Sequence, residues 1–376
     1  MAMDRGEQLR AQGHPLYSDR KLRLGTFGTN LSGGCTMSTI DGVLKADWPS
    51  TAELARLAEA MDFEALVSVA RWQGFGGVTD FNAAGFESFT WASAVAALTQ
   101  RAGVFATTHV PTIHPIMAAK QAMTVDHVSN GRFVLNVVTG WHQPEIEMFG
   151  APLLEHDSRY RMALEWLTIV KRLWTEDDPF DFEGEFYQLK GAFLQPKPIQ
   201  KPYPVVMCAG VSSKGQEFAA EHCDVSFVSL PSHELEDMKA RVRMVRDRAR
   251  REFGREIQVW CNAYIFQGDS EADARRYFDY AIHEHGDHQG VENMLRIMGI
   301  NSQSMPPEIL PTLKDHFMAG WGGFQIIGAG PKIVDSLELL HRAGFDGVLL
   351  SWPRYIEDMR RFQAEIYPLV EQSGLR

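Results

Sequence analysis

The stretch V-V-M-C-A-G-V-S-S-K-G-Q-E-F-A-A-E-H-C-D-V-S-F, residues 205–227, contains a complete strand–loop–helix–strand unit. Its two ends are short and mainly apolar, and residues 213–222 between them have the composition of a helix. Apolar strands that are joined by helices are typical of parallel sheets covered on both faces. This stretch therefore predicts an α/β fold built on a parallel sheet.

The same unit repeats along the whole chain, and nearly every apolar strand candidate is followed by an amphipathic helix. The strand candidates are centred at about residues 24, 67, 106, 135, 206, 226, 262 and 349. Eight such units predict a single (β/α)8 TIM barrel. The alternative is an open doubly wound sheet, but no G-x-G-x-x-G motif follows the first strand, as a dinucleotide-binding sheet of that kind would require.

We expect an N-terminal arm at residues 1–21 and one barrel over residues 22–376, with insertions at about 176–203 and 284–327. The arm is polar, so we expect it to be poorly ordered or to contact another subunit. Residues 180–195 alternate in the manner of a hairpin. Residues 284–327 are predicted to be a long irregular stretch, of the kind that serves as a lid or a binding loop.

Composition limits the class of protein. The 376 residues are 45% hydrophobic and 23% charged, which is enough to bury a large core. The net charge of -11 argues against a nucleic-acid surface spread over the whole protein. The four cysteines are far apart and form no C-x-x-C, which favours a reducing cytoplasm over a disulfide framework. No uncharged apolar run approaches 18 residues, so we expect no membrane span.

Function in a TIM barrel resides at the carboxyl ends of the strands, and the candidate site residues follow from that rule. They are Ala70 and Arg71 after the second strand, Thr107, His109 and His114 after the third, Asn136, Thr139, Trp141 and Glu145 after the fourth, and Gly210, Val211 and Ser212 after the fifth. Each histidine has the alternative of a hydrogen-bonded side chain that shapes the pocket, and Trp141 has the alternative of packing at the barrel rim.

The loop A-G-V-S-S-K-G at residues 209–215 joins a strand to a helix. Small residues let backbone N–H groups approach a ligand, and the amino end of a helix favours an anion. The loop therefore indicates a phosphate site with Ser212 as a donor, and the alternative is a glycine turn in which Ser212 caps the helix. We expect no metal, because His109 and His114 have no carboxylate neighbours in the sequence.

Five motifs occur in an order that resembles the bacterial luciferase-like flavin-dependent monooxygenases. They are N-x-V-T-G-W (136–141), E-H-D-S-R-Y (155–160), F-x-G-x-F-Y (182–187), K-P-x-Q-K-P (197–202) and A-G-x-S-x-x-G (209–215). The resemblance covers nearly the whole chain. It implies contacts to reduced FMN at Ala70, Arg71, Asn136, Glu145, Arg159, Tyr160 and Ser212. It also implies that Thr107, Asn136 and Trp141 surround the flavin face to which dioxygen adds.

Within this family the sequence resembles two branches. Residues 71–77 and 138–145 are similar to the pyrimidine-ring-opening oxygenases, whereas Ser32–Gly34, His109 and His114 are similar to the dimethyl sulfone monooxygenases. The resemblance implies a flavin (hydro)peroxide that oxygenates a small organosulfur compound, a sulfone or an alkanesulfonate, or opens a small N-heterocycle. His109 or His114 would then handle a proton or orient this substrate.

The resemblance also implies partners. A separate NAD(P)H-dependent flavin reductase would supply reduced FMN, and the chain would assemble as a homodimer or homotetramer. We expect a small-molecule substrate, no nucleic acid and no membrane partner. The alternative is an F420- or FMN-dependent oxidoreductase, or a flavin-binding barrel, that is not an oxygenase; the complete V-T-G-W and E-H-D-S-R-Y set argues against the F420 branch.

Overall fold

The computed structural model describes residues 4–230, 232–300 and 308–376. The strands of these ranges are β1 (Arg23–Phe27), β2 (Ala65–Val67), β3 (Gly103–His109), β4 (Phe133–Val138), β5 (Phe180–Glu183), β6 (Gln188–Ala192), β7 (Val205–Cys208), β8 (Val225–Phe227), β9 (Gln258–Gln267), β10 (Phe324–Gly328) and β11 (Gly347–Ser351). Eight of them form one parallel barrel in the order β1-β2-β3-β4-β7-β8-β9-β11, and β11 pairs with β1 to close it. The TIM barrel and all eight predicted strand positions are confirmed.

The α-helices cover the outside of the barrel and its ends. They are α1 (Arg5–Ala11), α2 (Trp48–Ala60), α3 (Ser88–Leu98), α4 (Pro115–Val128), α5 (Gln143–Met148), α6 (His156–Thr175), α7 (Ser213–His222), α8 (Leu235–Phe253), α9 (Glu271–Phe278), α10 (His288–Ile297), α11 (Leu310–Gly320), α12 (Gly330–Ala343), α13 (Tyr355–Arg361) and α14 (Tyr367–Gln372). Across the described ranges, none of these helices has the length and apolar character needed to span a membrane.

Side chains alternate between the inside of the barrel and the helix layer, as the two-residue period of a strand requires. On β3, for example, Phe105 belongs to the cluster that fills the barrel, whereas Val104 and Ala106 belong to the cluster under the helices. On β9 the interior position is Trp260. The same parity directs Asn262 and Tyr264 inward near the carboxyl end of β9.

The N-terminal arm is ordered in its described part and packs against the amino end of the barrel, so the prediction of a poorly ordered arm is wrong. Leu9, Leu16 and Tyr17 are buried and belong to the cluster that fills the barrel. The backbone oxygen of Leu16 accepts a hydrogen bond from Gln258 Nε2 at 2.7 Å. The arm is held against the barrel because its few apolar side chains close the open end, where they are removed from contact with water.

The segment 284–327 is not an irregular stretch in its described residues, which contain α10, α11 and β10. Strand β10 pairs in parallel with β9 outside the barrel. The buried side chains of α10, Val291, Met294 and Leu295, follow helical spacing. Residues 301–307 of this segment lie outside the described ranges. The predicted hairpin at 180–195 is confirmed, since β5 and β6 pair antiparallel.

Candidate active site

Two polar side chains lie side by side inside the carboxyl end of the barrel. The amide nitrogen of Asn136 donates to Thr107 Oγ1 at 3.0 Å, and Thr107 Oγ1 donates to the backbone oxygen of Ser68 at 2.5 Å. Both side chains are buried. The carbonyl oxygen Oδ1 of Asn136 is buried without a hydrogen-bond partner. A buried acceptor of this kind is costly unless a ligand satisfies it, so the pair is a candidate contact for a cofactor or substrate.

Arg71 and Glu145 form a buried ion pair next to these residues. Arg71 Nη1 lies 3.1 Å from Glu145 Oε2, and the side chains are 2% and 0% exposed. The other carboxylate oxygen of Glu145 accepts from the backbone N–H of Trp72 at 2.6 Å. Burial would raise the pKa of Glu145, but the neighbouring His142 and Arg71 outweigh it and lower the pKa to about 2. The carboxylate is therefore ionised and neutralises Arg71.

His109 lies against this ion pair and is also inside the barrel. Its Nδ1 atom is 3.4 Å from Glu145 Oε2 and has no hydrogen-bond partner. Burial and, next, the charge of Arg71 lower the pKa of His109 to about 4. His109 is thus neutral near pH 7, and its imidazole can accept or donate a hydrogen bond without adding charge to the site.

An aromatic cage surrounds the guanidinium of Arg71. Its Cζ atom lies 5.1 Å from the ring centres of Phe75 and Trp141 and 5.7 Å from that of Trp321. The rings of Phe75 and Trp141 are stacked with centres 6.2 Å apart, and Trp321 meets both rings edge to face. Flat electron-rich walls of this kind hold a cation in place and also accommodate a small planar or apolar ligand.

The loop between β7 and α7 forms a tight cradle. Ser212 caps α7, where its Oγ accepts from the backbone N–H of Gly215 at 3.1 Å. A Cβ atom at Gly215 would lie 2.5 Å from Tyr160 Oη and 2.6 Å from the Cα of Gly210. Only glycine permits this close approach, which brings backbone N–H groups, a serine hydroxyl and a tyrosine hydroxyl to one point.

A cation stands beside the cradle, at the start of α6. Arg159 donates through Nη1 to the backbone oxygen of Gly140, and its Nε is buried without a partner. Within the described ranges no carboxylate forms an ion pair with Arg159. An unneutralised arginine, a helix amino end and a glycine cradle together suit a phosphate group. The residues present therefore fit the phosphate of FMN.

The structure brings most of the predicted residues together at this end of the barrel. Thr139 contacts Tyr160 in the cradle, which also includes Gly210, while Val211 is 57% exposed at its edge. Ala70 and Arg71 lie near the start of the loop that joins β2 to α3. His114 is different: it is exposed, caps α4 and meets the ring of Tyr187 edge to face at 5.8 Å. His114 thus caps a helix and lies apart from the buried polar side chains of the site, and its predicted role toward a proton or substrate stays a prediction.

Sequence reasoning missed four residues at this end of the barrel. His156 Nε2 lies 3.1 Å from Ser212 Oγ, in the cradle. Tyr264 Oη lies 2.8 Å from His316 Nδ1, and Trp321 belongs to the cage. The sequence did carry a signal for Tyr264, because Trp260, Asn262 and Tyr264 stand at every second position of β9 and therefore face the same side of the strand. Nothing local in the sequence connects Trp321 to Arg71, since 249 intervening residues separate them and only the fold brings them together.

Comparisons with known proteins match the whole barrel. The sequence model described as Luciferase-like monooxygenase matches residues 25–347. The FMNH(2)-dependent dimethylsulfone monooxygenase of Pseudomonas putida is 29% identical over 348 residues, which cover 91% of this chain and 93% of that protein. The pyrimidine monooxygenase RutA of Acinetobacter baylyi is 28% identical over 328 residues, which cover 85% of this chain and 86% of that protein.

Among solved structures, the fold is similar to that of DmoA from Hyphomicrobium sulfonivorans. The TM-score is 0.80 with 21% sequence identity, and the match covers 95% of this chain and 89% of that chain. At this identity the likeness concerns the fold alone.

Proposed function

This chain belongs to the luciferase-like monooxygenase family, and from that premise we propose that it uses reduced FMN and dioxygen to oxygenate a small organic substrate. The observation that carries the proposal is the joint presence, at one end of the barrel, of a cradle that suits a phosphate and of the hydrogen-bonded Thr107–Asn136 pair, whose Asn136 Oδ1 has no partner. Relatives named as FMNH2-dependent dimethylsulfone monooxygenase and as pyrimidine monooxygenase support it over most of the chain.

The cradle would hold the phosphate of the cofactor. Arg159 supplies the positive charge, and the hydroxyls of Tyr160 and Ser212 supply neutral donors beside the amino end of α7. His156 adds a ring nitrogen that already contacts Ser212. Arg159 and Tyr160 are consecutive residues at the start of α6, so one helix end fixes both side chains relative to the β7–α7 loop.

Bound reduced FMN would supply the electrons and the dioxygen chemistry, and the protein supplies position, polarity and dryness. Thr107 and Asn136 would contact the reacting face of the flavin. The Thr107 hydroxyl donates its hydrogen bond to the backbone oxygen of Ser68 and accepts one from Asn136 Nδ2. These two bonds hold the free oxygen Oδ1 of Asn136 in a fixed direction. A preorganised acceptor of this kind can receive a hydrogen bond from an N–H or O–H group of the cofactor or substrate without reorganising during the reaction.

The buried Arg71–Glu145 pair orients the surroundings of the reacting groups. Glu145 holds the backbone at Trp72 through a hydrogen bond of 2.6 Å, and Arg71 holds the cage of aromatic rings. His109, neutral against this pair, can orient a substrate or relay a proton. We propose Trp141 as the cage wall nearest to the substrate, because it directly follows the strand that carries Asn136.

Two substrate classes remain within this proposal, an organosulfur compound such as a sulfone, and a small N-heterocycle that is opened. Each corresponds to one kind of named relative. We further propose that a separate NAD(P)H-dependent flavin reductase delivers the reduced FMN. Assembly as a homodimer or homotetramer and a cytoplasmic location stay predictions.

A reductase-coupled assay tests the proposed function. The purified chain, a flavin reductase, NADH and FMN are mixed with dimethyl sulfone, methanesulfonate, uracil or pyridine, and products are identified by mass spectrometry with ¹⁸O₂. Catalase in every reaction removes hydrogen peroxide as a direct oxidant. We expect one substrate to give a product that contains ¹⁸O only when the chain is present. Identical product yields with and without the chain would contradict the proposal.

A further inference from the structure

Trp321 has a backbone conformation that tryptophan rarely adopts. Its φ is 56°, in the left-handed region, at the residue that ends α11. Helices commonly end in this conformation at glycine, because any other side chain meets its own backbone there. The strain is tolerated only where surrounding contacts fix it, and such positions concentrate at functional sites.

The glycines around Trp321 show how closely this segment approaches the barrel. A Cβ atom at Gly320 would lie 2.4 Å from the Cβ of Tyr264, and one at Gly323 would lie 2.6 Å from Asn262 Nδ2. Both partners are inward-facing residues of β9. Because its glycines have no Cβ, the sequence G-W-G-G at 320–323 lets the backbone pack closely against the mouth of the barrel. It places one large side chain there, that of Trp321.

Two hydrogen bonds hold this segment to β9. Asn262 Nδ2 donates to the backbone oxygen of Gly320 at 3.1 Å, and Tyr264 Oη is 2.8 Å from His316 Nδ1. Gln325 Nε2 donates to Tyr264 Oη at 3.0 Å, which leaves the tyrosine proton for His316. Burial lowers the pKa of His316, which favours its neutral ring, and Nδ1 accepts the hydrogen bond of the tyrosine hydroxyl in the tautomer that carries its proton on Nε2. Trp321 is thus anchored against the mouth in the structure.

The indole N–H of Trp321 is buried and has no hydrogen-bond partner. Its ring meets Trp141 edge to face at 6.4 Å and lies over the guanidinium of Arg71. Arg71 Nε is likewise buried without a partner. Two unused donors therefore lie in the same cage, and an indole nitrogen can only donate. A ligand that satisfies the cage must carry acceptor atoms.

The charges in the cage are already balanced. Glu145 neutralises Arg71, and His109 is neutral near pH 7. The buried His142 also faces this pair, with its Nδ1 3.0 Å from Arg71 Nη1; because a guanidinium only donates, that Nδ1 accepts the hydrogen bond as an unprotonated nitrogen. Arg159, for which the described part of the chain offers no carboxylate partner, stands at the phosphate cradle rather than in the cage. An anionic substrate would enter the cage without a counter-charge and lose its hydration, which is costly. An uncharged molecule with oxygen acceptors avoids this cost.

We propose that Trp321 is a substrate-binding residue whose indole N–H donates a hydrogen bond to an oxygen atom of an uncharged substrate, such as a sulfone or a cyclic amide. This inference rests on the proposed function, because it places the substrate in the cage beside the reacting face. The cage would then prefer neutral compounds to the alkanesulfonates, which the sequence left as an alternative. Trp321 and the neutral Arg71–Glu145 pair would be responsible for this preference.

Direct binding measurements test the inference without turnover. Dissociation constants are measured by saturation-transfer NMR for dimethyl sulfone and uracil, and for their anionic counterparts methanesulfonate and orotate, on the wild-type chain and on W321F. We expect a neutral probe to bind the wild type at least about tenfold more tightly than its anion, and W321F to lose about tenfold of that affinity, the effect of one lost buried hydrogen bond. Reduced-FMN affinity should change less than about twofold.

Trp48→Phe is the matched control, because Trp48 is 40% exposed at the start of α2. We expect this variant to bind every probe like the wild type. If W321F does not fold, as judged by near-ultraviolet circular dichroism, Tyr264→Phe replaces it. That variant removes the hydroxyl that holds His316, and we expect it to weaken binding of the neutral probe by a smaller factor than W321F would.

The inference is overturned if W321F, or Tyr264→Phe in its place, binds the neutral probe like the wild type. It is also overturned if the anion binds as tightly as its neutral counterpart or if no probe binds the wild type. These outcomes are separate from failure of the proposed function, which is the absence of ¹⁸O-labelled product from the wild-type chain in the coupled assay.

Discussion

Thr107 and Asn136 are register partners on neighbouring parallel strands, and a hydrogen bond of 3.0 Å joins their side chains inside the barrel. The register places both at the same height near the mouth. Since side chains alternate along a strand, a shift of one residue would turn either of them into the helix layer. The strand pairing, rather than a loop, thus fixes the direction of the free Asn136 oxygen.

We predict that Thr107→Val lowers product formation on the order of a hundredfold, because it removes the acceptor that orients Asn136 and so disturbs a preorganised dipole. Oxygen consumption should continue, with reduced FMN oxidised to FMN while dioxygen is released as hydrogen peroxide. Thr107→Ser keeps the hydroxyl that bonds Ser68 and Asn136, so it should retain most of the product yield. The measurement is the ratio of product to hydrogen peroxide; equal ratios for both variants would disprove the role assigned to the hydroxyl.

Arg159 should discriminate FMN from riboflavin, which lacks the phosphate. We expect Arg159→Gln to weaken reduced-FMN binding about 10- to 100-fold, as for one lost charge-assisted hydrogen bond, and to leave riboflavin binding within about twofold. Arg161→Gln is the control, because Arg161 is 54% exposed and pairs with Glu185. Anaerobic fluorescence titration measures both affinities. A parallel loss for FMN and riboflavin would place the phosphate elsewhere.

Glu145 should be essential to stability as well as to the site. Glu145→Gln leaves the buried charge of Arg71 without its counter-ion, and breaking a buried pair in this way costs about 3–5 kcal/mol of unfolding free energy. Glu147→Gln, on the exposed side of the same short helix, should cost less than about 0.5 kcal/mol. Urea unfolding of the two variants measures the difference in unfolding free energy. Similar losses for both variants would show that the buried ion pair contributes no more to stability than the exposed Glu147.

The fold could be read from the sequence because its signal is periodic and local. Each β/α unit repeats an apolar strand and an amphipathic helix, and eight copies specify a closed barrel. The arm was misjudged because Leu9 and Leu16 are isolated apolar residues in polar surroundings, and their burial depends on an opening that only the closed barrel creates. Helix α10 had a readable signal, since Val291, Met294 and Leu295 follow helical spacing.

The candidate site was predicted where it follows single strand ends and missed where distant segments meet. Ser212 stands in a recognisable motif that follows β7, and Asn136 stands in one that begins within β4. Trp321 caps the end of α11, which does not follow directly from a barrel strand. Its place over Arg71 depends on the close contacts of Gly320 with Tyr264. Such contacts have no local sequence signature, because a glycine there could equally end a helix on the surface.

The buried neutral His109 should make the protein less stable in acid. Its pKa is lowered to about 4 in the folded chain, against about 6.5 when unfolded, so the unfolded state binds more protons between these values. The stability that His109 contributes is therefore present above pH 6.5 and is lost as the pH falls from there towards 4. Linkage gives a loss of roughly 2 kcal/mol at pH 5 relative to pH 7.5.

His109→Gln, which cannot gain a proton, should reduce that pH-dependent loss by roughly 2 kcal/mol, even if it lowers stability at pH 7.5. Urea unfolding of the wild type and of His109→Gln at pH 7.5 and pH 5 gives the four unfolding free energies needed. If His109→Gln kept the full acid loss, the charge of His109 would have to be accommodated in the folded site, and the neutral cage inferred around Trp321 would lose one of its supports.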